Sequence, residues 1–313
     1  MIRDQFLLGM DNEIIVDLFA GGGGMSTAIE QALGRHSDVS VNHDEDAVSM
    51  HTANHPQTEH YRADVFEVCP YEATRGRAIG LLHLSPDCTH HSQAAGGQPR
   101  DRKIRALAWV GLRWAGMGKR RAPGRQPRVI TLENVKQILQ WGRLIAKRCK
   151  HTGRVMKLDG TVAAKGERVP VQEQYLVPDP KHAGRTWRRY VRELEALGHK
   201  VAWTTMISAD HGDSTTRDRL ALVTVWIRGE PWVIVDICLR MLTPRELYGC
   251  QGFPASYIID RGHDGRVFSK SAQVRMVGNS VSPGPARALI WANCSDMAAW
   301  TLAELKQRER VAA

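Results

Sequence analysis

The stretch Glu13-Ile-Ile-Val-Asp-Leu-Phe-Ala-Gly-Gly-Gly-Gly-Met-Ser26 decides the fold. A short apolar run ends in a glycine cluster, and apolar residues then recur at helical spacing through Met25, Ile29, Ala32 and Leu33. That order reads as strand, loop, helix. Working outward, further strands are expected at Val39–Asn42, Ile79–Leu84, Val129–Leu132, Val201–Ser208 and Leu220–Ile227, with helices around 45–54, 103–117, 186–197 and 284–299. Such alternation predicts an α/β fold, a mostly parallel sheet with helices on both faces. Residues 142–185 break the rhythm with scattered Gly, Pro, Lys and Arg, and read as an insertion between a strand and its following helix. A second irregular stretch, 231–277, reads as a small lobe. The expected partition is therefore 1–230, with the insertion at 142–185, then 231–277, and 278–313 returning to the first part.

The chain has 313 residues, 42% hydrophobic and 24% charged, without a low-complexity tract. Disordered, collagenous and coiled-coil classes are thereby set aside. No run approaches the 18 or so apolar residues of a membrane span. The first residues lack the apolar core and cleavage site of a signal peptide, so a cytoplasmic location is expected. Six cysteines show neither Cys-x-x-Cys pairs nor zinc-ribbon spacing, which predicts no disulfide framework and no metal site. The formal net charge of +10 is concentrated. Residues 100–128 carry ten Lys/Arg against one acid, and residues 143–192 carry thirteen against four, on a body that is otherwise acidic. Two dense Arg-rich blocks of this kind suit a polyanion.

In open α/β sheets ligands sit beyond the carboxyl ends of the strands. The glycine run does not fit the dinucleotide pattern Gly-x-Gly-x-x-Gly, because Ser26 or Thr27 falls on its third position. It does fit Phe-x-Gly-x-Gly at Phe19, Gly21 and Gly23, where glycine permits close backbone approach and an aromatic ring flanks the ligand. Asp44 follows the second strand, where an acid commonly takes ribose hydroxyls, and Asp64 follows the third, where it could accept from an adenine amino group. The segment Leu81-Leu-His-Leu-Ser-Pro-Asp-Cys-Thr-His-His-Ser92 ends another strand and places Cys88 in a polar loop beside His90 and His91, just before the first basic block. Partial exposure and positive surroundings favour a reactive thiolate. Val129-Ile-Thr-Leu-Glu133 delivers an acid to the end of its strand, and Arg217 and Arg219 alternate at the start of a later one, facing one side.

These motifs together resemble the DNA (cytosine-5) methyltransferases, particularly the phage-type members. The resemblance runs almost end to end, through Asp17-Leu-Phe-Ala-Gly-Gly-Gly-Gly24, Pro86-Asp-Cys-Thr-His-His-Ser92, Glu133-Asn-Val135, Thr216-Arg-Asp-Arg219, Arg240-Met-Leu-Thr-Pro-Arg-Glu-Leu247 and Gly278-Asn-Ser-Val281. It implies a Rossmann-like fold with a small, reduced second lobe facing DNA, and S-adenosylmethionine as cofactor. By the same resemblance Phe19, Ala20, Gly21, Gly23, His43, Asp44, Asp64, Val65, Pro86, Asn279 and Ser280 would hold that cofactor, and the C-terminal helix would pack beside the first strand. Cys88 would attack carbon 6 of a flipped cytosine, Glu133 would hold and protonate ring nitrogen 3, Arg219 would bond the ring carbonyl, and Arg217 would support the thiolate. Arg148, Arg154, Arg188 and Arg189 are expected to contact the backbone of double-stranded DNA.

Three features depart from the family pattern. Asp87 intervenes between Pro86 and Cys88, His43 rather than an acid aligns after the second strand, and only 20 residues separate Arg219 from Arg240, where a long recognition region is usual. Recognition is then either transferred to the 142–185 insertion or largely lost. A weak or inactive DNA-binding relative and a transfer RNA cytosine-5 methyltransferase are the rival readings, with a nicotinamide oxidoreductase a distant third. The partners expected are duplex DNA and, where a restriction system exists, its cognate nuclease; the expected state is a monomer.

Overall fold

The computed structural model describes residues 13–88, 90–91, 99–121, 126–214, 225–227, 230–232 and 242–299. In chain order the first elements are β1 (Ile14–Leu18), α1 (Gly24–Leu33), β2 (Val39–Asn42), α2 (Glu45–Asn54), β3 (Glu59–Arg62), α3 (Pro70–Ala73) and β4 (Ile79–Leu84). Next come α4 (Arg102–Arg105), α5 (Val110–Arg121), β5 (Val129–Leu132), β6 (Leu144–Ala146), β7 (Leu176–Pro178) and α6 (Arg185–Ala196). The C-terminal part supplies β8 (Val225–Ile227), β9 (Glu230–Trp232), α7 (Pro244–Cys250), α8 (Lys270–Asn279) and α9 (Pro283–Cys294). None of these helices is long and apolar enough to cross a membrane.

Five strands form one parallel sheet in the order β3-β2-β1-β4-β5. The expectation from the opening motif holds: β1 lies at the centre, and the order matches the first half and crossover of a doubly wound Rossmann sheet. The chain divides into two compact units, discontinuous in sequence. One comprises residues 1–20, 37–43 and 58–205, the other 21–36, 44–57 and 206–313.

In the first unit Ile14, Val16 and Leu18 of β1 join Val39, Val41, Leu82 and Leu84 in a core closed by Val110 and Trp114 of α5. The opposite parity is buried as well, which is why β1 reads as an unbroken apolar run rather than an alternating one. On that second face Ser40, Asp17, His83 and Thr131 fall in one row across β2, β1, β4 and β5, all buried. His83 Nδ1 lies 2.9 Å from Thr131 Oγ1. The edge strand β3, Glu-His-Tyr-Arg, has no apolar run, and for that reason periodicity did not mark it as a strand.

A second cluster of this unit joins Trp141, Trp187, Tyr190, Val191 and Leu194 around α6. The 142–185 segment is not irregular throughout. Its ends pair as an antiparallel ladder, Leu144 with Pro178 and Ala146 with Leu176, and isolated bridges link Arg148 to Val155 and Met156 to Val162. It does end where α6 begins, as an insertion after β5 should. The strand expected at Val201–Ser208 is absent: residues 201–207 have no regular structure and Ser208–His211 form a 3-10 turn. A strand needs a ladder partner, and the following segment 215–224 lies outside the described residues.

In the second unit α9 packs on α1, the helix that follows the first strand. Tyr248, Phe253, Tyr257, Ile259 and Phe268 form one core cluster with Met50 of α2 and Met276 and Val277 of α8. Charge ties the same parts together. Arg266 pairs with Glu45, Asp46 and Asp264, and Arg275 pairs with Asp44 and Asp46.

Candidate active site

Within the first unit the carboxyl ends of β1, β4 and β5 carry the residues that the sequence singled out. After β1 the chain turns sharply at Phe19, whose φ of 64° lies in the left-handed region that a bulky residue rarely occupies. Neighbouring strands hold it there. The N–H groups of Phe19 and Ala20 both donate to the Val41 carbonyl at 2.9 and 3.2 Å, and Ser85 Oγ donates to the Phe19 carbonyl at 3.2 Å. Beyond β3 Asp64 is exposed, and its Oδ1 accepts from the Phe66 N–H at 2.9 Å. Val65 next to it is a core residue, so only its backbone can face a ligand.

After β4 the chain runs through buried Pro86 and exposed Asp87 to Cys88, a half-buried thiol. The His91 N–H donates to the Cys88 carbonyl at 2.9 Å and closes a turn. Two bonds fix this turn to the end of β5. The Glu133 N–H donates to the Leu84 carbonyl, and Asn134 Nδ2 donates to the Pro86 carbonyl, both at 2.9 Å. Asn134 was legible only as a neighbour of Glu133, and nothing in its type announced this role.

Glu133 is exposed at the end of β5. Loss of hydration raises its carboxyl above the ordinary glutamate value. Arg105 is buried behind the cysteine turn, with Nη1 on the His90 carbonyl at 3.1 Å and Nη2 directed at the Gly142 carbonyl at 3.4 Å. Burial and Arg100 lower its guanidinium to about 10. His91 is buried and held neutral, its imidazole lowered to about 4 by desolvation and by Arg105. A positive surrounding was expected from the basic block in general. Arg105 is the member of it that binds this turn.

In the second unit the glycine run opens α1. Gly21 and Gly23 are left-handed, at φ 50° and 93°, and Gly23 is the N-cap of α1. The sequence suggested that glycines here let a ligand approach. For three of the four, the structure gives a protein neighbour instead. A Cβ at Gly22 would stand 2.9 Å from Ser280 Oγ, one at Gly23 would collide with the Tyr257 hydroxyl, and one at Gly24 with the Val281 carbonyl. Ser280, expected beside the cofactor, is thus brought against the glycine run, while Asn279 is exposed at the end of α8.

Asp44 is otherwise engaged. Its Oδ1 caps α2 through the Ala47 N–H at 3.0 Å and its Oδ2 takes Arg275 at 2.5 Å. Burial would raise this carboxyl, but the Ala47 and Arg275 bonds outweigh it and hold it below the usual range. His43, the residue before it, is exposed at the end of β2. Arg217 and Arg219 lie outside the described residues.

The four candidate DNA contacts lie in the first unit. Arg148 and Arg188 are exposed, and Arg154 is half-buried. Arg148 Nη1 also donates to the Gly153 carbonyl at 2.8 Å, which closes the turn between them. Arg189 lies over the Trp109 ring at 5.6 Å and 3.6 Å from Glu193, so its charge is partly used within α6.

The cysteine turn after β4 and the acid after β5 thus stand at the carboxyl ends of a sheet with Rossmann-like strand order. Residues 14–148 match the model of the C-5 cytosine-specific DNA methylase family. Among solved structures the chain is similar to a DNA modification methyltransferase encoded within an E. coli prophage, at 16% identity and a TM-score of 0.46, covering 89% of this chain and 97% of that one. It is also similar to the S. pombe Dnmt2 methyltransferase, at 13% identity and a TM-score of 0.46, covering 90% and 98%. A third is the Entamoeba histolytica methyltransferase EhMeth, at 14% identity and a TM-score of 0.47, covering 90% and 97%. A search of curated proteins found no match.

Proposed function

We propose that the chain methylates carbon 5 of a cytosine flipped out of duplex DNA, with Cys88 as nucleophile and Glu133 as the acid at ring nitrogen 3. The observation that carries this is the joint anchoring of the two. Glu133 is bonded through its own N–H to the end of the strand that leads to Cys88, and Asn134 fixes Pro86. A thiol and a carboxyl with raised proton affinity are thereby held on adjacent strand ends. The pairing is suited to addition at carbon 6 with proton donation at nitrogen 3.

The Cys88 sulfur forms a bond to carbon 6, and the electron pair of the 5,6 double bond becomes available at carbon 5. Glu133, neutral more readily than an ordinary glutamate, gives its proton to nitrogen 3 and balances that charge. S-adenosylmethionine, when bound, supplies the methyl group that carbon 5 takes. Removal of the carbon 5 proton then restores the double bond and expels the Cys88 thiolate. Arg219 would bond the ring carbonyl and Arg217 would stabilise the thiolate, roles that rest on the resemblance alone.

The residues present fit that donor. Phe19 offers a half-buried aromatic face, exposed Asp64 an acceptor with one oxygen unbonded to Phe66, and the left-handed Gly21 a backbone close-approach point. Since Asp44 is committed to Arg275, we assign the ribose hydroxyls to His43. Ala20, Pro86 and Val65 would contribute backbone, Gly23 the loop conformation, and Asn279 with Ser280 the closing turn. Arg148, Arg154 and Arg188 would contact phosphates, with a smaller share for Arg189. We read the protein as a phage-type member in which residues 1–230 and 278–313 form the catalytic part and 231–277 a reduced lobe facing DNA, acting as a cytoplasmic monomer. Bisulfite sequencing of DNA from cells that express it tests the reading. Conversion-resistant cytosines that disappear with Cys88→Ser support it, and their absence, or methylation confined to transfer RNA, refutes it.

A further inference from the structure

The second unit contains a buried chain of polar groups that ends on the glycine run. Tyr257 Oη donates to the Gly22 carbonyl oxygen at 2.5 Å and lies 3.3 Å from His55 Nε2. His55 Nδ1 is 2.7 Å from Glu30 Oε1, and the same carboxylate oxygen meets His36 Nδ1 at 2.6 Å. Thr27 Oγ1 donates to the Gly23 carbonyl at 2.8 Å and stands 3.5 Å from His55 Nε2. Tyr257 is 5% exposed and His55 1%. Burial would raise Glu30, but the bonds and charge from His55 and His36 more than offset this and keep it a carboxylate acceptor. Both peptide groups on either side of Gly23 are thus held from the side, and Gly23 itself has no room for a side chain.

A left-handed glycine turn without such support would exchange conformers at little cost, since glycine populates several. Any ligand that requires one arrangement of its N–H groups would then meet that cost on binding. We propose that Tyr257, held by His55 and Glu30, is a positioning residue that presets the Gly21–Gly24 turn for the methyl donor. The inference rests on the assignment of the donor to this turn. It deepens that assignment by placing a determinant of donor affinity in the lobe, more than 230 residues further along the chain.

Tyr257→Phe removes the hydroxyl and keeps the ring that packs on Phe253 at 4.8 Å. Isothermal calorimetry with S-adenosylmethionine and with S-adenosylhomocysteine should show binding weakened about 5- to 10-fold, the usual effect of removing one hydrogen bond from a preset geometry. The KM for donor should rise in parallel, while kcat at saturating donor changes less than about twofold. Glu30→Gln keeps an acceptor for His55 without the charge, and should weaken binding about 2- to 3-fold; it serves as the test if Tyr257→Phe does not fold. Unchanged donor affinity in the folded variants, with a lowered melting temperature alone, overturns the inference and leaves a purely structural hydroxyl. If the unaltered protein binds neither ligand, the donor assignment itself is what has failed.

Discussion

Asn134 Nδ2 reaches across 48 positions of sequence to the Pro86 carbonyl oxygen, two residues before the proposed nucleophile Cys88. This bond and the Glu133 N–H to Leu84 bond tie the cysteine turn to the strand end that carries the acid. Asn134→Ala should lower kcat about 10- to 100-fold, since a nucleophile displaced by an ångström loses much of its orientation advantage. Donor affinity, set elsewhere, should stay within about twofold. Single-turnover kinetics beside calorimetry would separate the two. A variant with unaltered kcat would show the bond to be ornamental.

Cys88→Ser should abolish both methyl transfer and covalent trapping on a duplex containing 5-fluorocytosine, because a hydroxyl is far less ionised than a thiol near neutral pH. Donor binding should survive. An adduct that persists in this variant would identify another nucleophile.

Glu133→Gln retains shape but cannot deliver a proton to ring nitrogen 3, and should cost about 10²- to 10⁴-fold in kcat, the range for loss of a general acid. The deficit should be largest at low pH and shrink as pH rises and the unaltered carboxyl loses its proton. A variant that regains activity in acid would point to a different proton source.

His83 is fully buried and its imidazole is depressed to about 3 from an ordinary 6.5, by desolvation; His91 is depressed to about 4. The unfolded chain binds protons at these sites below pH 6.5, whereas the folded chain does not until pH approaches the folded values. Stability is therefore intact above about pH 6.5 and falls as pH drops toward 4, by roughly 1.4 kcal/mol per unit for each histidine. Urea unfolding at pH 7.5 and pH 5 should differ by about 2 kcal/mol through His83 alone. His83→Leu should reduce that difference, and a difference equal to that of the unaltered protein would show that other groups take up the protons.

Neutralising Arg148, Arg154, Arg188 and Arg189 together should weaken duplex binding for all sequences and flatten its dependence on salt, by about 0.9 in log–log slope for each phosphate that is no longer neutralised. With Arg189 engaged by Trp109 and Glu193, the combined change should approach that of three phosphates rather than four. An unchanged slope would place the backbone-binding cations elsewhere.

The sheet was largely readable because β1, β2, β4 and β5 are apolar and bounded by loop residues. Glu59–Arg62 was not, since an edge strand made of polar residues has no hydrophobic period. Cys88 and Glu133 were legible as reactive types at strand ends, and the Arg-rich insertion as a break in rhythm. Asn134, Arg105 and Tyr257 were not. Their roles depend on which carbonyl a side chain reaches across tens or hundreds of positions, and no local pattern encodes that. The carboxylate of Asp44, expected from the sequence at a ribose, caps α2, a use that the same position serves equally well.

The base of the insertion is closed. Leu144 faces Pro178 in the ladder, the Asp179 N–H donates to the Arg143 carbonyl at 3.1 Å, and the Arg143 and Asp179 side chains pair at 2.7 Å. Entry and exit therefore lie side by side, as in a hairpin whose tip has been extended. Such a segment behaves as an interchangeable cassette: a short turn could replace everything between the two strands with little added closure entropy. The sheet beneath would keep its register through such an exchange.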